Sequence, residues 1–490
     1  MKMTFKSLAI IALGLICSTV AFSQEKVDSL NVHEQRITNL EDGLIQLKKL
    51  KFSGYVQAEW QSSQIDSAFS KSNDMKVGTG LFGPEKSIGG TYNRYGVRRG
   101  RLKSTYEDFG CKAVIEFDIS ESGLKTKDVY LNALDPWLNT FSVTGGVFDR
   151  PFGYEISYSS SKLESPERSR IIQTLFPDEK DLGAMLTIQA PKTSPWNVLK
   201  LDAGLFAGAA INKDYKSKKD FIGHLSYSEG TSTMKWGLGA SMYAGVIYNT
   251  SQNVYTMQNG VFARDSSALA SDPKDATGKT KLALNNNSNF ANRTYFGFDG
   301  QFSIVSDLGL TQIRGEYIFG TQPGTSTSSA SLNGYDATTI TAPGAPTQTT
   351  PTLAQTIAAA NPGTDTYIRK FNGGYIHFIQ DIADTKHSIT VKYDWYNPNT
   401  DINSANIGTA LTADQIAANK LTPNASKPYV GANKTDMSYS TIGLGYIYRM
   451  NNNVKLTVYY DIVSNKITQL KGYMANLADN VLTVRLQYKF

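Results

Sequence analysis

The residues best placed to do chemistry lie in the run Asn93 to Glu107, NRYGVRRGRLKSTYE. Arg99, Arg101 and Lys103 recur at every second position, with Leu102 and Tyr106 on the other parity. On an extended strand such a spacing puts the three cations on one face, about 7 Å apart. A ladder of that kind would pass an anion from rung to rung without trapping it, which conduction requires. A second reading has the cations paired with Glu116 and Asp118 of the following run, so that they brace a wall. The two readings are compatible, and the sequence leaves both open.

The most densely charged connection follows, from about 149 to 181. It carries Arg150, Glu155, Glu164, Glu167, Arg168, Arg170, Asp178, Glu179 and Lys180. It also carries Ile171, Ile172, Leu175 and Phe176, too apolar a set for a freely solvated loop. The expectation is that it folds inward, anchors its apolar residues on a wall and narrows a passage. The alternative is packing outside, against a neighbouring subunit. The expected anion pathway is Arg99, Arg101, Lys103, Arg150, Arg168 and Arg170, and the expected acidic lining is Glu116, Asp118, Asp128, Glu155 and Glu167. No metal or cofactor is expected. The four histidines, His33, His224, His377 and His387, lack ligand spacing, and none sits in a recognisable catalytic segment. This argues against an enzyme.

These residues need a wall to stand on, and from Phe52 onward the periodicity is two. Leu482, Val484, Leu486, Tyr488 and Phe490 alternate with Thr483, Arg485, Gln487 and Lys489. The same alternation recurs at 111–119, 141–148, 389–395 and 454–462. A strand with one apolar and one polar face can stand between lipid and a water-filled interior; the edge of a soluble sandwich is the other reading of any one such strand. Short turns at 107–110, 135–139, 305–308, 383–386 and 449–453 alternate with long polar loops at 63–92, 249–292, 320–367 and 399–435. The expected fold is all-β: a transmembrane antiparallel barrel of about sixteen strands around an aqueous lumen, spanning 51–490. Tyr488 and the terminal Phe490 are expected to act as its membrane-insertion signal.

Composition agrees with this. Across 490 residues the mean hydropathy is −0.30, with 41 Gly and 27 Tyr. Beyond the N-terminus no apolar run is long enough for a helical span. A formal charge of +6 without a dense basic run argues against nucleic acid as a partner.

Residues 1–23 read as a secretory signal: Lys2 and Lys6, an apolar core from Leu8 to Ile16, then Ala21-Phe22-Ser23 before Gln24. Lipidation at Cys17 is disfavoured by Ile16 before it. Its removal would leave Cys111 alone, with no internal disulfide. Residues 24–50 show heptad spacing, with Leu30, Ile37 and Leu44 at one core position and Leu40 and Leu47 at the other. A short periplasmic coiled-coil helix is expected, self-associating as a trimer at least as readily as a dimer. A single amphipathic helix packed on the rest of the chain is the alternative.

Four motifs in order, RRGRLK at 98–103, GVFDRPFG at 146–153, PERSR at 166–170 and LFPDEKDLG at 175–183, resemble the phosphate-selective porins O and P. The resemblance is strongest from about 93 to 190. It implies a sixteen-stranded homotrimeric barrel with an inward-folded third loop, and an arginine ladder leading to a lysine cluster. Arg99, Arg101 and Lys103 fit the ladder; no matching lysine cluster occurs. Some relatives carry an N-terminal coiled coil. The resulting expectation is an outer-membrane channel for passive diffusion of small polar solutes, with a preference for anions such as phosphate. Its partners would be those solutes, outer-membrane lipids and two further copies of itself. The nearby carboxylates oppose strict anion selectivity. A structural or adhesive barrel acting through its long loops is the competing reading.

Overall fold

The computed structural model describes residues 36, 48–64, 92–121, 123–212, 214, 216–248, 254–258, 260–264, 290–331, 366–410, 412–414, 431–477 and 479–490. The chain divides into two units, Met1–Lys51 and Phe52–Phe490. The proposed signal at 1–23 and the heptad residues Leu30, Ile37, Leu40, Leu44 and Leu47 lie outside the described residues.

Eighteen strands are described: β1 Leu50–Ser63, β2 Tyr92–Asp108, β3 Cys111–Ser120, β4 Gly123–Leu134, β5 Phe141–Asp149, β6 Lys180–Gln189, β7 Leu199–Phe206, β8 Asp220–Gly230, β9 Met234–Tyr248, β10 Val254–Gln258, β11 Val261–Arg264, β12 Phe290–Ser306, β13 Gly309–Gly324, β14 Thr366–Asp381, β15 His387–Asn397, β16 Tyr439–Arg449, β17 Val454–Asn465 and β18 Val481–Lys489. β10 and β11 form a short hairpin that adds in parallel to the start of β14. The other sixteen make the wall. Successive wall strands pair antiparallel, β9 pairs with β12, and β18 closes the ring on β1, which also pairs with β2. Closure leaves no open edge, so every wall strand has neighbours for its backbone groups on both sides.

The alternation read from the sequence sorts cleanly across this wall. On β18, Leu486 and Tyr488 are exposed outside while Thr483, Arg485 and Gln487 are buried inside. Leu102, Ile115, Leu131, Val143, Phe298 and Leu444 continue the exposed apolar exterior around the ring. A closed barrel with this exterior is an outer-membrane barrel.

Short connections, such as 109–110, 231–233, 307–308 and 450–453, lie on one rim. The other rim carries the long ones, apart from the brief link at 121–122. The short turns are locally built. Asp135 accepts backbone N–H bonds from Trp137, Leu138, Thr140 and Phe141, and these hold its carboxyl down at about 2.

Two features depart from strict alternation. Between β3 and β4 the register shifts after Glu116, pairing Glu116 with Asp128 and Phe117 with Thr126. This bulge turns both Lys127 and Asp128 into the buried interior. The inner face is also not uniformly polar: Tyr243, Tyr295, Phe371 and Tyr396 point into it and form an aromatic bed.

Candidate pore constriction

β5 ends at Asp149 and β6 begins at Lys180, and these two residues are register partners. Pro151 has no N–H to continue the ladder, and residues 150–179 leave the wall to cross the interior. A six-residue helix, α1 (Arg170–Leu175), buries Ile171, Ile172 and Leu175. Together with Phe152, Ile156 and Phe176 they pack on Phe206, Ile222, Tyr243, Tyr295, Ile318, Phe371 and Tyr396 of the wall. The apolar residues that looked out of place in a loop are the ones that meet the aromatic bed.

The polar residues of the segment reach opposite walls. Glu164 takes both guanidinium nitrogens of Arg314 on β13 at 3.0 Å. Glu155 accepts from Lys392 on β15 at 2.7 Å. The carbonyls of Ser161 and Leu163 accept from Lys455 on β17 at 3.1 and 2.9 Å. Glu167 sits among three arginines: Arg98 at 2.6 and 2.8 Å, Arg99 at 2.9 Å and Arg485 of β18 at 3.3 Å. Burial alone would raise the Glu167 carboxyl, but Arg98 and Arg99, with Arg485, hold it well below the usual range. Glu179 is half-buried and likewise held low: desolvation would raise it, but Arg168, Lys127 and Arg101 outweigh that.

The sequence singled out six cations, and they fall into two groups. Arg150 and Arg168 are buried within the segment itself. Arg150 donates to the carbonyls of Pro177 and Glu179 and lies 5.3 Å from the Phe176 ring. Arg168 bonds Glu179 and the carbonyls of Glu155, Ile156 and Tyr158. Arg170 lies over Tyr439 at 5.5 Å. On β2, Arg99, Arg101 and Lys103 all face inward, and carboxylates meet each of them. Arg101 lies 3.1 Å from Glu116 and 3.5 Å from Asp118; Lys103 lies 3.4 Å from Glu116 and 3.5 Å from Asp128. Asp128 also takes Lys180 at 2.7 Å.

Several residues of this network were not singled out: Arg98, Glu59, Arg314, Glu316, Lys392, Lys455 and Arg485. Lys392 and Arg485 stand on the inward parity of strands legible in the sequence. Nothing in the sequence says which inward residues the segment would meet. Arg98 reaches Glu167 although its neighbour Arg99 does so too, which simple alternation does not anticipate.

Gly153 has φ +63, and a Cβ there would lie 1.6 Å from Glu316 Oε1. Glu316 accepts the backbone N–H of Glu155 at 3.1 Å from across the interior. The last glycine of GVFDRPFG is therefore the point where backbone and a buried carboxylate touch. Gly153→Ala is expected to displace Glu316 and strain the turn, at a cost of about 1–3 kcal/mol. Faster protease nicking of the folded, detergent-solubilised protein within 150–179 checks this; unchanged cleavage would contradict it.

Beneath the segment, toward the short-turn rim, two cavities remain. One, of about 260 Å³, is lined by Ser157, Ser159–Ser161, Tyr158, Arg101, Lys103 and Lys180 among others. The second, of about 400 Å³, is lined by Tyr154, Gln301, Gln312, Arg314, Ser228 and Ser303 with neighbours. Among the described residues, no group of three or more His, Cys, Asp or Glu is arranged to hold a metal ion.

No protein-family model matches the sequence, and no curated protein is detectably similar to it. Solved structures similar in fold include an anion-selective porin from Comamonas acidovorans, at 12% identity and TM-score 0.45, covering 90% of this chain and 99% of that one. OmpT, an outer membrane protein of Vibrio cholerae in its trimer form, gives 10% identity and TM-score 0.44 over 90% and 99%. OmpF of Salmonella typhi in complex with daunomycin gives 9% and 0.44 over 90% and 97%.

Proposed function

We propose that this protein is a porin: a passive outer-membrane channel through which small polar solutes diffuse, working as a homotrimer. One observation carries the reading. A sixteen-stranded wall is crossed by a charged, wall-anchored segment that leaves polar cavities beneath it. A barrel of this size encloses an aqueous channel unless something fills it, and a segment of this kind sets the bore.

An anion preference, with phosphate as its natural example, would rest on Arg99, Arg101 and Lys103 and on the resemblance of motifs. Those cations already have carboxylates at 2.9–3.5 Å. A neutralised ladder offers a passing anion little net field. The reading is therefore general passage with at most a slight anion preference.

Purified protein in planar bilayers tests this. Stepwise conductance is expected, with a reversal potential near zero in asymmetric KCl. Absence of steps would overturn the channel reading, and a strong anion preference would overturn the neutralised ladder. Chemical crosslinking in detergent should give a trimer band.

A further inference from the structure

On the underside of residues 150–179, Tyr154 and Tyr158 stack with ring centroids 5.4 Å apart. Both remain only partly buried. Arg314 lies 4.4 Å from the Tyr158 ring and 5.9 Å from that of Tyr154, and the two-pronged pair with Glu164 holds it there. Tyr158 lines the smaller cavity and Tyr154 the larger. The stack is thus a rigid aromatic ridge between two polar compartments.

The lining groups are donors and acceptors, and most of the charged ones are already paired with a charge of opposite sign. In the larger cavity Gln301 donates its amide to Asp299 at 2.6 Å. Its carbonyl oxygen lies over Gly237, 2.9 Å from where a Cβ would stand. Gln312 accepts from Arg314 through its own carbonyl at 2.6 Å, leaving an amide NH₂ as its donor. Glu229 and Lys235 add one charge of each sign. In the smaller cavity Arg101, Lys103, Arg168 and Lys180 each have a carboxylate within 3.5 Å, from Glu116, Asp128, Asp149 and Glu179 of the same lining, and five serines, two tyrosines and Lys489 make up most of the rest.

An ion that met Arg314, Arg101, Lys103 or Lys180 would have to break an existing pair to gain a partner of its own. A neutral hydroxyl does not, because it donates and accepts at once. A solute bearing several hydroxyls around a C–H face could lay that face on a tyrosine ring while its hydroxyls meet Gln301, Gln312 and the serines. The 400 Å³ of the larger cavity falls in the range of small-molecule sites. We propose that the Tyr154–Tyr158 ridge, with Gln301 and Gln312, is a binding site for a neutral hydroxyl-rich solute of mono- or disaccharide size. This rests on the reading of the interior as a solute passage, and it names the solute class that the passage retains.

The probe is sucrose, used in two measurements on the full chain. In single channels, sucrose is expected to lower the current saturably, with excess noise. In calorimetric titration of the detergent-solubilised protein, it is expected to give saturable heat whether or not the channel conducts. Tyr154→Ala and Tyr158→Ala should each raise the half-saturating concentration at least about tenfold. Gly237→Val should do the same by filling the cavity from the wall, leaving the ridge in place. The proposal is overturned if sucrose acts only in proportion to viscosity and gives no saturable heat. It is also overturned if inorganic phosphate saturates the site and sucrose does not. Saturable heat without conductance would uphold the site and overturn the channel reading instead.

Discussion

Replacing Glu167 by glutamine is expected to turn a weakly selective passage into an anion-selective one and to loosen the segment that narrows it. Arg98, Arg99 and Arg485 converge on this carboxylate, and Arg485 also pairs with Glu59 at 2.6 Å. Glutamine keeps the size of the side chain and removes the charge. Removing one member of a buried ionic cluster costs about 3–5 kcal/mol, because the partners stay buried and uncompensated. Here that cost falls on the docking of the segment. The reversal potential should move toward the anion value, and single-channel current should become larger and noisier. Glu167→Asp should restore part of the wild-type selectivity, since charge is kept and only reach is lost. A reversal potential unchanged in Glu167→Gln would mean that the three guanidiniums lie off the solute path.

Acid should mimic this substitution only under extreme conditions. The Glu167 carboxyl is held well below its ordinary value of 4.5. A depressed acid contributes its full stabilisation above the unfolded-state value and loses it as pH falls through the folded-state value. Glu167 should therefore contribute no change of selectivity from neutral pH down to about 4.5, and its own drift toward anions should come only further into acid. A shift setting in above that point would assign pH sensitivity to another group.

The wall was legible because membrane barrels write it in local sequence. Leu482 to Phe490 alternates residue by residue, and Thr483, Arg485 and Gln487 turn into the buried interior while Leu486, Tyr488 and Phe490 are exposed outside. The anomaly of Ile171, Ile172, Leu175 and Phe176 inside a charged loop was legible for the same reason: apolar residues need a bed. The bed itself was not. Tyr243, Tyr295, Phe371 and Tyr396 sit on the inner parity, where a water-filled lumen calls for polar residues. Their role appears only when the segment is laid across them. The ionic partners were hidden by distance along the chain. Glu167 meets Arg485 across 318 positions and Glu155 meets Lys392 across 237. Local bulges hid others: the register shift at Glu116 turns two consecutive residues inward, which strict alternation forbids. The loop read at 249–292 holds the β10–β11 hairpin, whose four- and five-residue strands are too short to show a period.

Phe176→Ala should release the segment from its apolar side, as Glu167→Gln does from its ionic side, and the two effects differ in kind. The Phe176 ring is almost wholly buried. It lies 4.9 Å from Phe152, 5.7 Å from Tyr295 and 6.1 Å from Tyr243, with Arg150 at 5.3 Å. Truncation removes these contacts and leaves a void that a rigid barrel wall cannot close, at a cost of about 3–5 kcal/mol. No charge changes, so selectivity should hold while mean conductance and current noise rise. Protease sensitivity within 150–179 should rise with them, since the segment loses its central anchor. Phe176→Leu keeps most of the volume and should recover much of the quiet, narrow state. If Phe176→Ala shifted selectivity as far as Glu167→Gln, the ionic clamp would depend on the aromatic bed for its geometry. If it changed neither conductance nor cleavage, the ionic clamp alone would fix the bore.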